Sequence, residues 1–530
     1  PQLGHSACAG HGQTSFTFSF VWHGSSVMFS LVLGAVLLIL LWLSFRKQST
    51  LPPGPPKLPL VGSLLFINPF DPLSSFRALA KKYGKLMTIY FGNTPVVVLN
   101  DPRIIKDSFE GPVFAGKYLE ARAHLPYKIS DELLRYLDEI HGIKEIENYV
   151  KNMPTSLLEE SIATCVSRFI KRIVSNASAP IKLKDEMDWL FYGVAWKILS
   201  EYEPPEGNAL SKRFLKNSIE RANDSWISFC TDFFPRSKLL KLVERVVGVD
   251  KNIVVQELLL LHLKTIVELR TFTLQQKQHT LNKDSFAGKL FNEKYLMGST
   301  EDENDKAITD AVNIIVAQGM HFFSGSGPLS SSIRFAIQNL ALHPEWQKQI
   351  QLEVDSVVKQ GETLTWNYMS KMPVLMGFIK ETIRHSSVIP LGVPHCLTEE
   401  VNIHNYCLPK GTVVLANIDW IHHNECIWDS PNKFNPERFL GDAKFSEAVE
   451  EGFLPFSFGA RACLGQSIAL GELFLTLSVL VKHFHFSLDG EQPKIRYKMG
   501  VIVQPQPLKV TLDLRQHSEH STATTLHLEM

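Results

Sequence analysis

The chain has no surplus of charge: Lys plus Arg number 54 and Asp plus Glu number 54. A balanced chain lacks the broad positive field that gathers nucleic acid, and that class of partner is set aside. Cysteine is sparse. None of Cys8, Cys165, Cys230, Cys396, Cys407, Cys426 and Cys463 lies at the short spacing of a zinc site or redox couple. An odd handful of cysteines in 530 residues does not suit a disulfide scaffold, so six read as ordinary thiols of a reducing compartment. Internal repeats and low-complexity tracts are also lacking, which argues against an array of small units. Tryptophan is missing from Leu43 to Asp188.

What is there begins with an apolar run. The 19 residues from Val27 to Phe45 carry no charge, and Arg46 and Lys47 follow at once. That length spans a hydrocarbon layer of about 30 Å as a helix, and the basic pair behind it favours a cytosolic body. A cleaved signal peptide would carry its basic residues ahead of a shorter run. The expected organisation is a non-native or disordered extension over 1–27, with Met28 the natural start, then a transmembrane anchor over 28–46. A Pro-rich hinge follows over 47–60, containing Leu51-Pro52-Pro53-Gly54-Pro55-Pro56. One catalytic body fills 61–512, and 513–530 is a disordered tail.

Within the body, Leu86–Tyr90 and Pro95–Leu99 are apolar runs around a turn signal and predict a hairpin. Thr300 and Glu303 form a capping-box pattern, and apolar residues recur at helical spacing to about Leu342. A second helix restarts at His343-Pro344-Glu345. Between Val388 and Val414, Pro, Gly and β-branched residues predict a small sheet. The fold class is mainly α: a large helical body with small β-sheets, behind an N-terminal membrane helix.

The segment richest in chemistry is Pro455-Phe456-Ser457-Phe458-Gly459-Ala460-Arg461-Ala462-Cys463-Leu464-Gly465, ahead of an apolar helix. A thiolate that ligates heme iron must be deprotonated, and cationic neighbours, a helix N-terminus and loop N–H groups favour that state. Gly459 and Gly465 allow backbone turns close to a porphyrin. Arg461 is placed to pair with an anionic propionate.

These residues resemble the heme-binding signature of the cytochrome P450 family, with Cys463 at the axial-ligand position. The resemblance runs from the anchor to about residue 512, and Pro390-Leu391-Gly392-Val393-Pro394-His395 is similar to the microsomal animal branch. It implies the cytochrome P450 fold, heme b as cofactor, and Phe456, Gly459, Arg461, His395 and Gly465 around it. It further implies that Glu381 and Arg384, with Arg438 in the segment Trp428–Phe439, form a structural Glu–Arg–Arg network. Ile389, Leu391 and Val393 are candidates to line a substrate pocket.

Two segments depart from the family pattern. The long helix should carry an acid–alcohol pair that organises protons and water, in the pattern Ala/Gly-Gly-x-Asp/Glu-Thr-Thr/Ser. Here the stretch reads Ser324-Gly325-Ser326-Gly327-Pro328-Leu329. Gly325 remains, but Gly327 holds the acid position and Pro328 the threonine position, with Ser326 or Ser330 as substitute hydroxyls. A proline here should also kink the helix near Ser324. The second departure is a helix that should offer Trp and Arg to a propionate. Its best match, Ile143-Lys144-Glu145-Ile146-Glu147-Asn148-Tyr149, puts Ile143 and Glu147 there.

Other short patterns carry little. Gly325-Ser326-Gly327 lacks the strand and βαβ unit of a dinucleotide site. The acceptor-like triplets at Asn176 and Asn223 stay unmodified on a cytosolic body. His422-His423, read on a strand, would face opposite ways and make a poor metal pair.

The leading expectation is a monooxygenase oxidising a lipophilic small molecule: steroid, fatty acid or xenobiotic. O2 is the oxidant, and NADPH supplies electrons indirectly through NADPH-cytochrome P450 reductase. Cytochrome b5 is a further candidate donor, and the endoplasmic reticulum membrane is the expected location. A heme-thiolate isomerase or dehydratase acting on a peroxide is the alternative that Pro328 suggests. A non-catalytic heme or lipid binder is the third.

Overall fold

A computed structural model describes residues 50–117, 144–175, 181–200, 284–295, 301–359, 362–441, 447–489, 497–506, 509–515 and 525–529, with Gly34 and Cys230. The expected extension and anchor lie outside these residues apart from Gly34. Among the described residues, no helix is long and apolar enough to cross a membrane.

The described helices are α1 (Pro72–Tyr83), α2 (Pro102–Glu110), α3 (Lys144–Asn152), α4 (Thr155–Ser175), α5 (Leu183–Ser200) and α6 (Phe286–Tyr295). They continue as α7 (Glu301–Leu342), α8 (Pro344–Val357), α9 (Pro373–Ser386), α10 (Ile418–His422), α11 (Glu447–Gly452) and α12 (Gln466–His483). Several starts obey one rule. Proline occupies the first turn of α1, α2, α8 and α9, where its missing N–H is no loss. Asp71 and Asp101 cap α1 and α2 by accepting backbone N–H groups.

The predicted long helix is α7, 42 residues that run continuously through Pro328; its expected capping residue Thr300 lies outside the described residues. α7 packs most extensively on α5 and then on α6, α9 and α12. Ile333, Ile337 and Leu340 of α7 join Phe191 and Val194 of α5, Phe378 of α9 and Leu477 of α12 in the main core.

The predicted hairpin forms as β1 (Leu86–Phe91) and β2 (Thr94–Leu99), with Leu86 opposite Leu99. The two begin a five-stranded sheet with β3 (Gly116–Lys117), β5 (His395–Cys396) and β8 (Val413–Ala416), in the order β1-β2-β8-β5-β3. β2 and β8 run parallel, Val96 beside Val413. Both faces are covered: Val96, Val98 and Leu415 pack toward Phe76, while Val97, Leu99 and Val414 pack toward Ile105 and Phe109. Burial on two faces explains why these strands are unbroken apolar runs rather than alternating ones. β6 (Val401–Ile403) and β7 (Tyr406–Leu408) form a small hairpin, so the sheet expected between Val388 and Val414 divides between two sheets.

Two ends differ from expectation. The Pro-rich segment, described from residue 50, is not a free hinge. Thr88 N donates to Pro53 O at 3.0 Å, and a Cβ on Gly54 would come within 1.8 Å of Thr88 O, so the segment is laid tightly along β1. In the expected disordered tail, β13 (Thr525–Glu529) pairs antiparallel with β12 (Lys509–Leu514) and parallel with β4 (Ile181–Lys182). β9 (Phe484–Leu488) closes that sheet, and β10 (Tyr497–Met499) pairs with β11 (Val503–Pro505).

Candidate active site

Cys463 sits between a 3₁₀ turn, Gly459–Arg461, and the start of α12. The loop is closed by backbone bonds: Cys463 N donates to Phe456 O at 2.8 Å, Ala462 N to Gly459 O at 3.0 Å and Ala469 N to Gly465 O at 2.8 Å. Phe456 thus serves the loop through its carbonyl. Gly459 adopts φ +73, and a Cβ there would lie 1.9 Å from Phe109 O at the end of α2. The approach of α2 by itself requires glycine there. Gly465 differs: a Cβ there would meet nothing within 4 Å.

The Cys463 side chain is exposed and opens onto free space beside this glycine. Partial burial raises the thiol above its ordinary value, and the Gly465 backbone hydrogen bond opposes that. Arg461 reaches across to the sheet, where Nη1 donates to Pro394 O at 2.8 Å and Gly116 O at 3.1 Å. It ties the cysteine loop to β3 and to the residue before β5.

His395 is buried and stacks on Phe109 with ring centroids 3.7 Å apart. Its Nδ1 lies 2.8 Å from Phe114 O. A carbonyl only accepts, so Nδ1 is assigned the proton and Nε2 the lone pair. Burial first, then the Arg461 charge, lower this histidine to about 4, and it is neutral near pH 7.

Behind the loop, Glu381 and Arg384 share one face of α9 and are 0% exposed. Arg384 Nε and Nη2 grip the two Glu381 oxygens at 2.7 and 2.8 Å, and Nη1 and Nη2 donate to His422 O at 2.5 Å and Pro431 O at 2.9 Å. Arg438 Nε reaches Glu381 Oε1 at 3.4 Å, and its other nitrogens bond Asp429 O, Ser430 O and Lys433 O. The expected trio is brought together. It sews the segment after α10 onto α9, with Trp428 under the Arg384 guanidinium at 5.2 Å.

The sequence reading missed the neighbouring cluster. Arg77 of α1 holds Asp419 in a two-point ion pair at 2.6 and 2.7 Å. His423 Nδ1 lies 3.3 Å from Asp419 Oδ1, and His422 Nε2 accepts from Leu454 N at 3.2 Å. His422 and His423 lie at the end of α10 rather than on a strand, and both are used structurally. Among the described residues no group of three or more His, Cys, Asp or Glu side chains could hold a metal ion.

On α7 the residues separate by face. Ser324 is exposed, and Gly325 and Pro328 are half-buried; Ser326, Gly327 and Ser330 are buried. The hydroxyl on the open face is therefore that of Ser324. Ser326, proposed from sequence along with Ser330, lies on the packed side. Burial also sorts the pocket candidates: Leu391 is core beside Val388 and Val503, Ile389 packs against that core, and Val393 is 50% exposed. In α3, Glu147 is half-buried while Tyr149 turns inward to donate to Asp284 O at 2.8 Å. Ile143 lies outside the described residues.

An exposed thiol at the head of α12, on a mainly helical body crossed by one very long helix, is compatible with a heme-thiolate site. The Cytochrome P450 family model matches residues 52–194 and 252–512. The chain belongs to the cytochrome P450 family, which is a family of enzymes, and heme b is its cofactor. It is 27% identical over 483 residues to cytochrome P450 2C8 of Homo sapiens, covering 87% of this chain and 92% of that protein. It is 26% identical over 524 residues to a steroid 17-alpha-hydroxylase/17,20 lyase of Ictalurus punctatus, covering 92% and 97%. Cytochrome P450 2J3 of Rattus norvegicus is similar at 27% over 492 residues, covering 90% and 94%. The residues present fit a heme: one soft sulfur donor open to free space, a glycine beside it whose Cβ would meet nothing, and a cation within two residues.

Proposed function

We propose that the chain is a monooxygenase that inserts one oxygen atom of O2 into a lipophilic small molecule of the steroid, fatty-acid or xenobiotic class. The observation that carries this reading is a soft donor, the exposed Cys463 thiol, at the head of α12. Heme bound there supplies oxygen activation, which side chains alone do not provide. Cys463 would hold the iron through its sulfur, and the metal charge would stabilise its thiolate against the burial that otherwise raises it. Arg461 and His395 would be the partners of the propionates, and an anion beside His395 would counter the Arg461 charge that helps keep it neutral. The Glu381–Arg384–Arg438 network fixes the supporting segment. Val393 contributes an apolar wall to the substrate space, and Ser324 a polar point on the helix opposite to the packed side.

Electrons come from NADPH through NADPH-cytochrome P450 reductase, with cytochrome b5 as a second donor, at the endoplasmic reticulum membrane. Leu60, Leu65, Phe66 and Phe70 are exposed apolar residues within one short stretch near the N-terminal end of the described body, which supports a body that rests on lipid. The names of the relatives, which include a steroid hydroxylase, support the substrate class.

The test is the optical spectrum of the reduced CO complex, followed by NADPH- and reductase-dependent product formation. A thiolate-type band that disappears in Cys463→Ala supports the reading. A protein without porphyrin, or one whose carbonyl complex absorbs like a histidine-ligated globin, overturns it. Gly327 and Pro328 favour a second reading, rearrangement of an organic hydroperoxide; turnover of hydroperoxide alone, with none from NADPH and O2, would select it.

A further inference from the structure

Insertion of oxygen balances as RH + O2 + 2 H⁺ + 2 e⁻ giving ROH + H2O. A C–H bond is broken and a C–O bond formed, and the second oxygen leaves as water with both protons. NADPH supplies the electrons through the reductase. The protons come from solvent and must cross the packed body, although Gly327 and Pro328 offer no acid and no hydroxyl.

Ser324, Gly327, Ser331 and Arg334 recur along α7 at steps of three and four, so they stand in one row. Ser324 heads the row and is exposed. Gly327 leaves it bare for one turn, and Pro328 adds no N–H there. Beyond that, Arg334 Nη2 donates to Ser331 Oγ at 3.4 Å and Nε to Ser330 O at 3.3 Å. Arg334 is a cation only 2% exposed, and burial lowers it to about 10 against the pull of Asp188 and then Asp185 on α5. Asp188 gives Oδ2 to Lys184 at 2.9 Å, and the Lys184 side chain is 24% exposed. Asp188 Oδ1, Ser326 Oγ and Ser330 Oγ are buried without a hydrogen-bond partner among the described residues.

A guanidinium and a carboxylate that feel each other in the interior are costly to keep dry. Orphaned polar atoms around them mark the kind of site that ordered water satisfies, because each molecule both donates and accepts. We propose that water fills this row and connects the open face at Ser324, past Gly327 and Ser331, to Asp188 and the Lys184 edge of α5, as the proton supply of the site. Asp188 exchanges protons with the water. Arg334 stays charged near pH 7 and only orients it.

The proposal rests on the monooxygenase reading, and the experiment separates the two. Heme-loaded wild type, Asp188→Asn and Ser331→Ala are supplied with NADPH, purified reductase and dioxygen, with no organic substrate. Dioxygen then partitions between hydrogen peroxide, which takes two protons and two electrons, and water, which takes four of each. Wild type is expected to form water. Both variants should form it on the order of a hundredfold more slowly and shift to peroxide, the low side of what a positioned proton donor contributes, with an unchanged CO band. A wild type that forms only peroxide, or variants that match a water-forming wild type, would overturn the route. A wild type without the thiolate CO band sinks the parent reading and this one with it.

A readout independent of turnover is the melting temperature of Ser330→Ala. Beside water the hydroxyl is paired and its loss lowers the melting temperature; in a dry seam its removal raises it and refutes the proposal. A high-resolution crystal structure should show water bonded to both Arg334 and Asp188 Oδ1. A direct, dry ion pair between the two would count against it.

Discussion

Glu472, on the buried face of α12, is the acid whose replacement tests the interior most directly. It is 5% exposed, its Oε2 has no hydrogen-bond partner among the described residues, and burial alone pushes it from 4.5 up to about 8. Near pH 7 the folded protein therefore holds a neutral carboxyl, while the unfolded chain holds an ionised one. A folded value above the unfolded one gives stability that is fully present below about 4.5 and is lost as pH rises toward 8. Integrating between pH 5 and pH 8 gives a loss of about 3–4 kcal/mol from this one group. Glu472→Gln keeps the shape and removes the charge change. Whatever the amide costs in hydrogen bonding is the same at every pH, so only the pH-dependent part of the difference reports titration. At an unfolding entropy of about 2.1 cal/mol/K per residue, a body this size shifts by roughly 1 °C per kcal/mol. The variant should therefore gain roughly 3–4 °C on wild type between pH 5 and pH 8. Paired melting curves of heme-loaded protein measure it. A gap that stays constant across the range would refute the argument and mean that Glu472 finds water or a counter-charge.

Three further outcomes follow from contacts already described or adjacent to them. Glu381→Ala strands Arg384 in the interior and should cost about 3–5 kcal/mol, the usual result of removing half of a buried pair; the measure is the yield of folded, heme-loaded protein against Glu381→Asp. Gly459→Ala places a methyl against Phe109 O at φ +73 and should lower the melting temperature by an amount equal to at least about 1–3 kcal/mol, whereas Gly465→Ala, with nothing within 4 Å in the protein, should fold normally and show its defect in heme retention. A Cβ on Gly471 would lie 1.8 Å from the Trp366 ring, so Gly471→Ala should destabilise by about 1–3 kcal/mol, and Trp366→Leu in the same chain should return part of that loss; a double-mutant cycle with no coupling would contradict the contact.

What sequence reading reached was local. The hairpin at Leu86–Phe91, the helix through Pro328 and the loop around Cys463 each depend on residues within a few turns of one another. Glu381 and Arg384 were legible because three residues along a helix bring side chains to one face. Arg77 and Asp419 were not, because 342 positions separate them and neither stands in a recognisable pattern. Ser324 was passed over in favour of Ser326 because family spacing counts positions, while burial on α7 decides which hydroxyl meets open space. The approach of the Phe109 carbonyl to Gly459 was not legible, because it is invisible until α2 is in place.

The parallel pairing of Val96–Leu99 with Val413–Ala416 has a consequence for biosynthesis. A ribosome adding about 5–20 residues per second needs roughly 15–60 s to make the chain between the two strands. For that time the finished hairpin carries an apolar, unpaired edge, the template on which chains adhere to one another. Newly made protein should thus depend on chaperones until its last quarter emerges, and truncation before Val413 should produce insoluble material rather than a smaller folded body.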